Sequence, residues 1–418
     1  MENFDLIVVG GGLTGTAASI AAARQGLKVL LVEQYNCLGG AASNSLVNPF
    51  MPYWTRDKET KQKILLSKGI FTEILNELDL MGALSSNRQV FHEEYLKIIL
   101  NRMVLKAGCK ILFHSYLSGA DIENEHIKSV TFTNKSGLMT LFADYFIDAT
   151  GDADLSVLCG CPYHIGRQQD NLCQPMTLCF RVSGVELDKY EAARSFISEK
   201  YKELQSRGDI KNPREDVLIF PSMIDGVLHF NSTRIVKRNP VDAFDLTAAE
   251  IEAREQVLEL YEFMRDNIDG FKNSKLLSTA MQIGVRESRM IIGRHVLTGK
   301  EIIDCTKFED SIATGNYDID IHNPEGSGTS HYYFPSGEYY TIPYRSLQPL
   351  GADNLLTAGR CISADHDAQA SIRIMPICTC LGEAAGVAAY VAKKMNTNFE
   401  KADINYIRKI LLENGAML

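Results

Sequence analysis

The stretch Leu6-Ile7-Val8-Val9-Gly10-Gly11-Gly12-Leu13-Thr14-Gly15 decides how this chain is read. Four apolar, largely β-branched residues with no polar alternation are the pattern of a parallel strand covered on both faces. Glycines then fill the three positions of G-x-G-x-x-G, and the alanine-rich run Thr16 to Arg24 follows as a helix. Gly10 permits a tight turn, Gly12 removes the side chain that would block a pyrophosphate, and Gly15 lets helix and strand approach closely. Gln25-Gly26 stops the helix, Lys28-Val29-Leu30-Leu31-Val32 is a second buried strand, and Glu33 stands at its tip, 23 positions after Gly10. There a carboxylate accepts hydrogen bonds from ribose hydroxyls and repels a 2′-phosphate. The helix N-terminus contributes about 0.3–2 kcal/mol towards a bound anion. Together these elements predict a dinucleotide-binding βαβ unit, which does not by itself separate one dinucleotide from another.

Outward from this unit, Cys37-Leu38-Gly39-Gly40-Ala41-Ala42-Ser43 offers small residues against which a long dinucleotide can lie. Residues 55–81 predict a helical excursion. Phe91 to Lys106 reads as an amphipathic helix and Cys109 to Phe113 as a strand. A meander from Tyr116 to Ala143, with turn signals at Glu123-Asn124-Glu125 and Asn134-Lys135-Ser136-Gly137, leads into Tyr145-Phe146-Ile147-Asp148-Ala149-Thr150-Gly151-Asp152. A strand with that ending has little place in a simple NAD domain. Far downstream, Asn354 to Arg360 forms another strand with Gly359 at its exit. A helix is predicted from Pro376, proline suiting its first position, and its small residues Gly382-Glu383-Ala384-Ala385-Gly386 are expected to pack on the sheet.

The 418 residues exceed what one core usually serves. Residues 1–163 and 343–418 are therefore expected to form an α/β Rossmann-like domain with a parallel central sheet, helices and a β-meander. Residues 164–342 interrupt it as an α+β substrate domain. In that insert Met176 to Val182 and Met281 to Ile292 read as strands, and Thr247 to Asn267 as a helix with Ile251, Val257, Leu258, Tyr261 and Met264 at helical spacing.

A net charge of −9 without a Lys/Arg-rich run argues against a nucleic-acid partner. The N-terminus carries no basic segment, and the apolar run after it is short and glycine-rich, so neither export nor a membrane is expected and the cytoplasm is the expected compartment. Ten cysteines lack the spacing of a disulfide scaffold and are expected to be reduced, mostly core, residues. Cys378 and Cys380 sit roughly 200° apart around a helix and cannot pair. Cys159-Gly160-Cys161 is read as a structural loop. No spacing resembles a metal site.

The chain resembles the glutathione-reductase-like superfamily of two-domain flavoproteins, and within it the bacterial FAD-dependent oxidoreductases. The resemblance spans nearly the whole chain. It is carried by Gly10 to Gly15, Gly39-Gly40, Asp148 to Asp152, Gln282-Ile283-Gly284-Val285-Arg286-Glu287-Ser288-Arg289, and Ala358-Gly359-Arg360-Cys361-Ile362-Ser363 through Ser371-Ile372-Arg373-Ile374-Met375-Pro376. It implies FAD bound in an extended conformation: adenine near Glu33 and Gln34, pyrophosphate at Gly12, Leu13, Thr14 and Gly15 and at Gly359-Arg360, and flavin between Gly40, Ala41, Ala42, Ser43 and the Pro376 helix. Gly10, Gly39, Leu117, Thr150, Gly151 and Met375 complete the implied contacts. The dipole of the Pro376 helix would face the pyrimidine edge of the isoalloxazine, where negative charge grows on reduction. The chain departs from the pyridine-nucleotide disulfide reductases in lacking a second complete G-x-G-x-x-G, so no dedicated nicotinamide site is expected.

In such proteins the reacting carbon lies against the flavin between the domains. Arg373 would stabilise an anionic reduced flavin or bind a substrate carboxylate, or else cap carbonyls and pair with Asp365 or Asp367. His366, read as part of a polar loop, would take a proton from a hydroxyl or amine, or is simply solvated or hydrogen-bonded. Arg286, read on an alternating strand with Gln282 and Gly284, would reach the substrate or pair with a surface carboxylate. The expected activity is hydride transfer between a small polar metabolite and flavin N5, with electrons then passed to an unidentified acceptor or taken from a donor. The alternatives are a flavin-dependent double-bond reductase and a non-catalytic flavin-binding redox sensor.

Overall fold

Phe4–Val9 pairs in parallel with Val29–Val32 on one side and Ala143–Asp148 on the other. Lys110–Leu112 and Leu355–Thr357 extend this to a five-stranded parallel sheet, so the last strand comes from the far end of the chain. The computed structural model describes residues 3–418. Alternate residues of the first strand feed different layers. Leu6 and Val8 join the helical side, while Ile7 and Val9 meet Ile127, Val130 and Phe132 of the three-stranded meander Tyr116–Glu123, His126–Asn134 and Gly137–Leu141. The first helix is Leu13–Arg24, three residues longer than the alanine run suggests, because extended Gly12 caps it and Thr16 N–H already bonds Gly12 O at 2.9 Å.

The closing helix Met375–Met395 starts one residue before Pro376, which lies in its first turn. Its small residues pack on the first helix rather than on the sheet. A Cβ at Gly382 would stand 2.0 Å from Thr14 O, and one at Gly386 2.2 Å from Ala18 O. Among the described residues this is the one helix long and apolar enough to cross a membrane, and most of it is buried in the core.

Within it Glu383 is buried and its Oε2 accepts the Ile70 N–H at 2.9 Å, at the start of the helix Ile70–Leu80. That helix, preceded by the hairpin Trp54–Arg56 and Lys63–Leu65, is what residues 55–81 build. Burial pushes the Glu383 pKa up to about 7 against the bond from Ile70, and Glu73 adds repulsion. A folded-state value above the ordinary 4.5 means that the native protein holds this proton more tightly. This contribution to stability is full below about pH 4.5 and is lost as pH rises towards 7, by at most about 3 kcal/mol. Glu383→Gln keeps an acceptor for Ile70 and should remove that decline. Urea unfolding at pH 5 and pH 7.5 checks it, and an unchanged difference between the two pH values sinks the assignment.

The insert has its own four-stranded antiparallel sheet, in the order Ile219–Pro221, Leu228–Phe230, Phe180–Ser183, Lys275–Thr279. The helices Leu187–Ser206 and Ala243–Asn267 cover one face and share a core with Phe180, Phe230, Tyr201, Leu260 and Phe271. The first of them is masked in the sequence by its charge. Arg181 and His229, opposite one another in the ladder, lie on the alternate positions. Residues from Leu297 to Ile342, although inside 164–342, bury Leu297, Ile302, Ile312 and Ile342 in the first core. We accordingly propose that the insert's independent part ends near residue 283.

Two strand readings are corrected. Met176 and Thr177 make only isolated bridges, to Ile235 and Gly284, and the strand begins at Phe180. Gln282 to Ser288 is an irregular loop, with strand only at Arg289–Ile291. Its neighbours offer no ladder: Met281 and Gln282 N–H both bond Asn44 O, and Ile283 N–H bonds the Glu250 carboxylate at 2.7 Å. Arg286 therefore projects from a loop. His366 opens a helix, His366–Ile372, which Asp365 caps by accepting the Ala368 N–H at 2.8 Å.

Candidate active site

The two glycine-rich segments near the N-terminus lie side by side, Gly12 bridging Gly39 and Gly39 N–H bonding Gly11 O at 2.9 Å. Gly10 holds φ at +98°, where a Cβ would be 2.4 Å from Ala149 O, and a Cβ at Gly15 would be 1.8 Å from Gly10 O. Gly12 differs. A Cβ there meets only Gly40 Cα at 3.9 Å, so the space before the helix terminus is kept open by this glycine. No side chain caps that helix, which leaves the N–H groups of Leu13, Thr14 and Gly15 to face an anion. Across the cradle Thr14 approaches Gly359, and Arg360 lies against Gly151, bonds Val285 O and pairs with Asp152 at 2.7 Å. Thr150 is tied to buried Asp148 at 2.7 Å.

Glu33 Oε2 accepts the Gly11 N–H at 2.6 Å, and Oε1 the Tyr35 N–H at 2.9 Å, beside Gln34. Burial raises its pKa against those bonds. Ser115 N–H bonds Glu33 O, which brings the start of the meander strand carrying Leu117 to this edge, although Leu117 itself packs among apolar residues. Gly40–Ala42 forms a 3-10 turn closed by Ser43, whose Oγ donates to Leu38 O at 2.9 Å, with Ala41 exposed on it. Met375 opens the closing helix. The cradle, the open position at Gly12 and the acidic tip fit an adenine dinucleotide.

Between the domains the three candidate catalytic side chains come onto one hydrogen-bonded frame. Arg286 donates to Pro175 O at 2.6 Å, Thr177 Oγ1 at 2.7 Å and Asn231 Oδ1 at 3.3 Å, all neutral acceptors, and no carboxylate among the described residues bonds it. Burial, then the nearby Arg373 and Arg214, push its pKa down to about 9 against the attraction of Asp320. Arg373 ends the helix His366–Ile372 and bonds the carbonyl and carboxylate of Asp320 at 3.3 and 3.2 Å; its partner is thus neither Asp365 nor Asp367. Gln369 Nε2 donates to Arg286 O at 2.9 Å and links to Gln174, whose Oε1 accepts from His322 N–H.

Asp320 also accepts from Tyr317 at 2.9 Å, and despite burial its pKa is lowered by His322 and Arg373. Arg234 donates to His322 Nδ1 at 3.0 Å, which leaves the proton on Nε2, directed at Asp320. Asp318, Asp320 and His331 bring their ligand atoms within 4.8 Å of one another, a grouping formed across a hairpin.

Sequence reasoning did not single out Asp320, His322 or Arg234, nor a second cluster on the insert's sheet. There Arg181 makes two bonds of 2.5 Å to Glu93 of the helix Glu93–Lys106, with both side chains buried. His229 beside it is buried with neither ring nitrogen bonded, and burial, then Arg181, push its pKa down to about 3. The one available signal was a charged residue inside an otherwise apolar strand, Cys179-Phe180-Arg181-Val182.

All ten cysteines are free thiols. Cys378 donates to Arg373 O at 3.3 Å and Cys380 to Lys68 O at 3.7 Å, in different directions, as their spacing implies.

A parallel sheet built from both ends of the chain, a glycine cradle at a helix terminus and a separate antiparallel sheet define a Rossmann-like nucleotide-binding protein with a second domain. The FAD dependent oxidoreductase family matches residues 5–411, and the chain belongs to it. It is an enzyme of that class with FAD as cofactor. Glutathione reductase of Schizosaccharomyces pombe is 31% identical over 150 residues, 35% of this chain and 31% of that protein. Digeranylgeranylglycerophospholipid reductase of Methanocella arvoryzae is 28% identical over 162 residues, 36% of this chain and 40% of that protein. The matches thus span less than half of those curated relatives. Among solved structures, a geranylgeranyl bacteriochlorophyll reductase-like protein from Thermoplasma acidophilum superposes with a TM-score of 0.48 at 13% identity, covering 99% of this chain and 84% of that one. The p-nitrophenol 4-monooxygenase of Pseudomonas putida gives 0.48 at 11% identity, over 99% and 87%.

Proposed function

We propose that this enzyme oxidises a small organic acid carrying a hydroxyl or amine on the carbon that reacts. Arg286 carries the reading: its guanidinium has three neutral acceptors and no carboxylate bonded to it among the described residues. A substrate carboxylate would supply the missing negative charge, in the planar two-point geometry that a guanidinium favours. Asp320 bonds Arg373, and its charge reaches Arg286 without a bond, which leaves the guanidinium of Arg286 for a ligand to pair with. His366, on the same hydrogen-bonded frame, is the group assigned to take the proton from the hydroxyl or amine. FAD supplies, when bound, a two-electron acceptor for a hydride at N5.

The cradle of Leu13, Thr14 and Gly15 would hold the pyrophosphate and Glu33 the ribose. We further propose that the electrons leave to a separate acceptor and that the enzyme works in the cytoplasm, without nucleic acid or membrane.

The test is anaerobic bleaching of the flavin by lactate, malate, 2-hydroxyglutarate, alanine and glutamate, with the corresponding alcohols and amines that lack the carboxylate as controls. Bleaching by one or more acids and not by the controls is the expected result. Bleaching by the controls alone, or by none of the panel, overturns the reading.

A further inference from the structure

Glu287 follows Arg286 in the chain and is completely buried. Its Oε1 lies 2.7 Å from His366 Nδ1, and its Oε2 accepts the Gln174 N–H at 2.8 Å, so both oxygens are engaged and the carboxylate is fixed. The His366 side chain is 12% exposed. A carboxylate accepts only, so the bond to Nδ1 requires the proton there. A neutral His366 then carries its lone pair on Nε2, which has no hydrogen-bond partner among the described residues and is not fully buried, and so is open to a ligand or to water. Burial lowers the pKa of this ring, but Glu287 outweighs it and the net direction is up. The other charges facing the ring are Asp367 on its own helix and Arg167 with Asp170 on the turn 167–170. Arg167 is itself neutralised by Asp170 and Glu325.

We propose that Glu287 is a positioning residue, which holds His366 in the Nδ1-protonated tautomer and thereby presents Nε2 as the acceptor of the substrate's proton. One loop, residues 282–288, thus carries both the carboxylate-binding guanidinium and the support of the base. The arrangement follows the logic of an acid–histidine pair, in which the buried acid sets ring orientation and tautomer without itself taking the proton. It rests on the reading of His366 as proton acceptor given above.

The test uses the FAD-loaded full chain and the variant Glu287→Gln, which keeps an acceptor for Gln174. Nitrogen-15 NMR of the histidines across pH 5 to 9 reads tautomer and titration of His366 without any substrate. Wild type should show the Nδ1–H form when neutral, and Glu287→Gln should titrate about one pH unit lower, as loss of an adjacent carboxylate requires. The acid limb of flavin bleaching by the acids above should move down with it, and the limiting rate should fall by on the order of 10²-fold, since a Gln side chain can donate to Nδ1 and turn the tautomer over. An Nε2–H wild-type ring, or a His366 titration identical in both proteins, overturns the positioning role whatever the substrate, and the first of these needs no variant to fold. A shifted titration with an unshifted bleaching profile overturns instead the assignment of His366 as base, and the proposal with it.

Discussion

Gly382→Val is expected to destabilise the protein by about 3 kcal/mol or more and to lower its FAD content. A valine Cβ would stand 2.0 Å from Thr14 O and 2.8 Å from Thr14 C, and these are backbone atoms that cannot rotate away. The two helices must separate, and overpacking of that kind costs about 1–3 kcal/mol even where the obstacle is a side chain. The displaced atoms belong to Thr14, in the first turn of the helix whose N–H groups form the cradle, so the damage reaches the cofactor directly. A fall in melting temperature of about 6 °C or more, with a reduced flavin-to-protein absorbance ratio, is the expected pair of results. A variant that melts with wild type would show that the two helices are not held at this spacing.

Arg286→Met is expected to leave the fold and the flavin intact and to raise the KM of the oxidised acid by about 10²-fold or more, with a smaller change in the limiting rate of bleaching. Truncating one partner of a desolvated charge pair costs about 2–5 kcal/mol, which falls on substrate affinity here because no carboxylate among the described residues bonds the guanidinium. Arg286→Lys should recover only part of the loss, because an ammonium keeps the charge without the planar fork. Unchanged KM in both variants would remove Arg286 from the binding site and leave the organic-acid reading without its anchor.

The cradle was legible in the sequence because its parts are local. Val9, Gly10, Gly12 and Gly15 act through backbone conformation and close approach over a dozen residues, and a spacing encodes that directly. The same holds for Glu33, placed by one helix and one strand. The strap Gly39 to Ser43 and the closing helix were readable for the same reason, although not their partners: Gly382 and Gly386 announce a close approach without naming the surface approached.

The interdomain region was legible only as residue types. Arg286 was read on a strand because Gln282, Gly284 and Arg286 alternate, yet the backbone groups around it are claimed by Asn44 and Glu250, which lie far away in sequence. His366 was read in a loop because a helix of about two turns capped by Asp365 is too short to carry a periodic signal. Asp320, the partner of Arg373, lies 53 residues from it and could not be chosen over Asp365 or Asp367 by proximity in the chain.

The amino-acid sequence by itself therefore determined the dinucleotide unit and its acidic tip, since strand and helix periods and glycine conformations are properties of short segments. Only the tertiary structure decided that Arg286 has no carboxylate bonded to it among the described residues, that Glu287 bonds His366, and that Glu93 meets Arg181. Charge pairing depends on distance in space, and these partners lie as much as 88 residues apart in the chain.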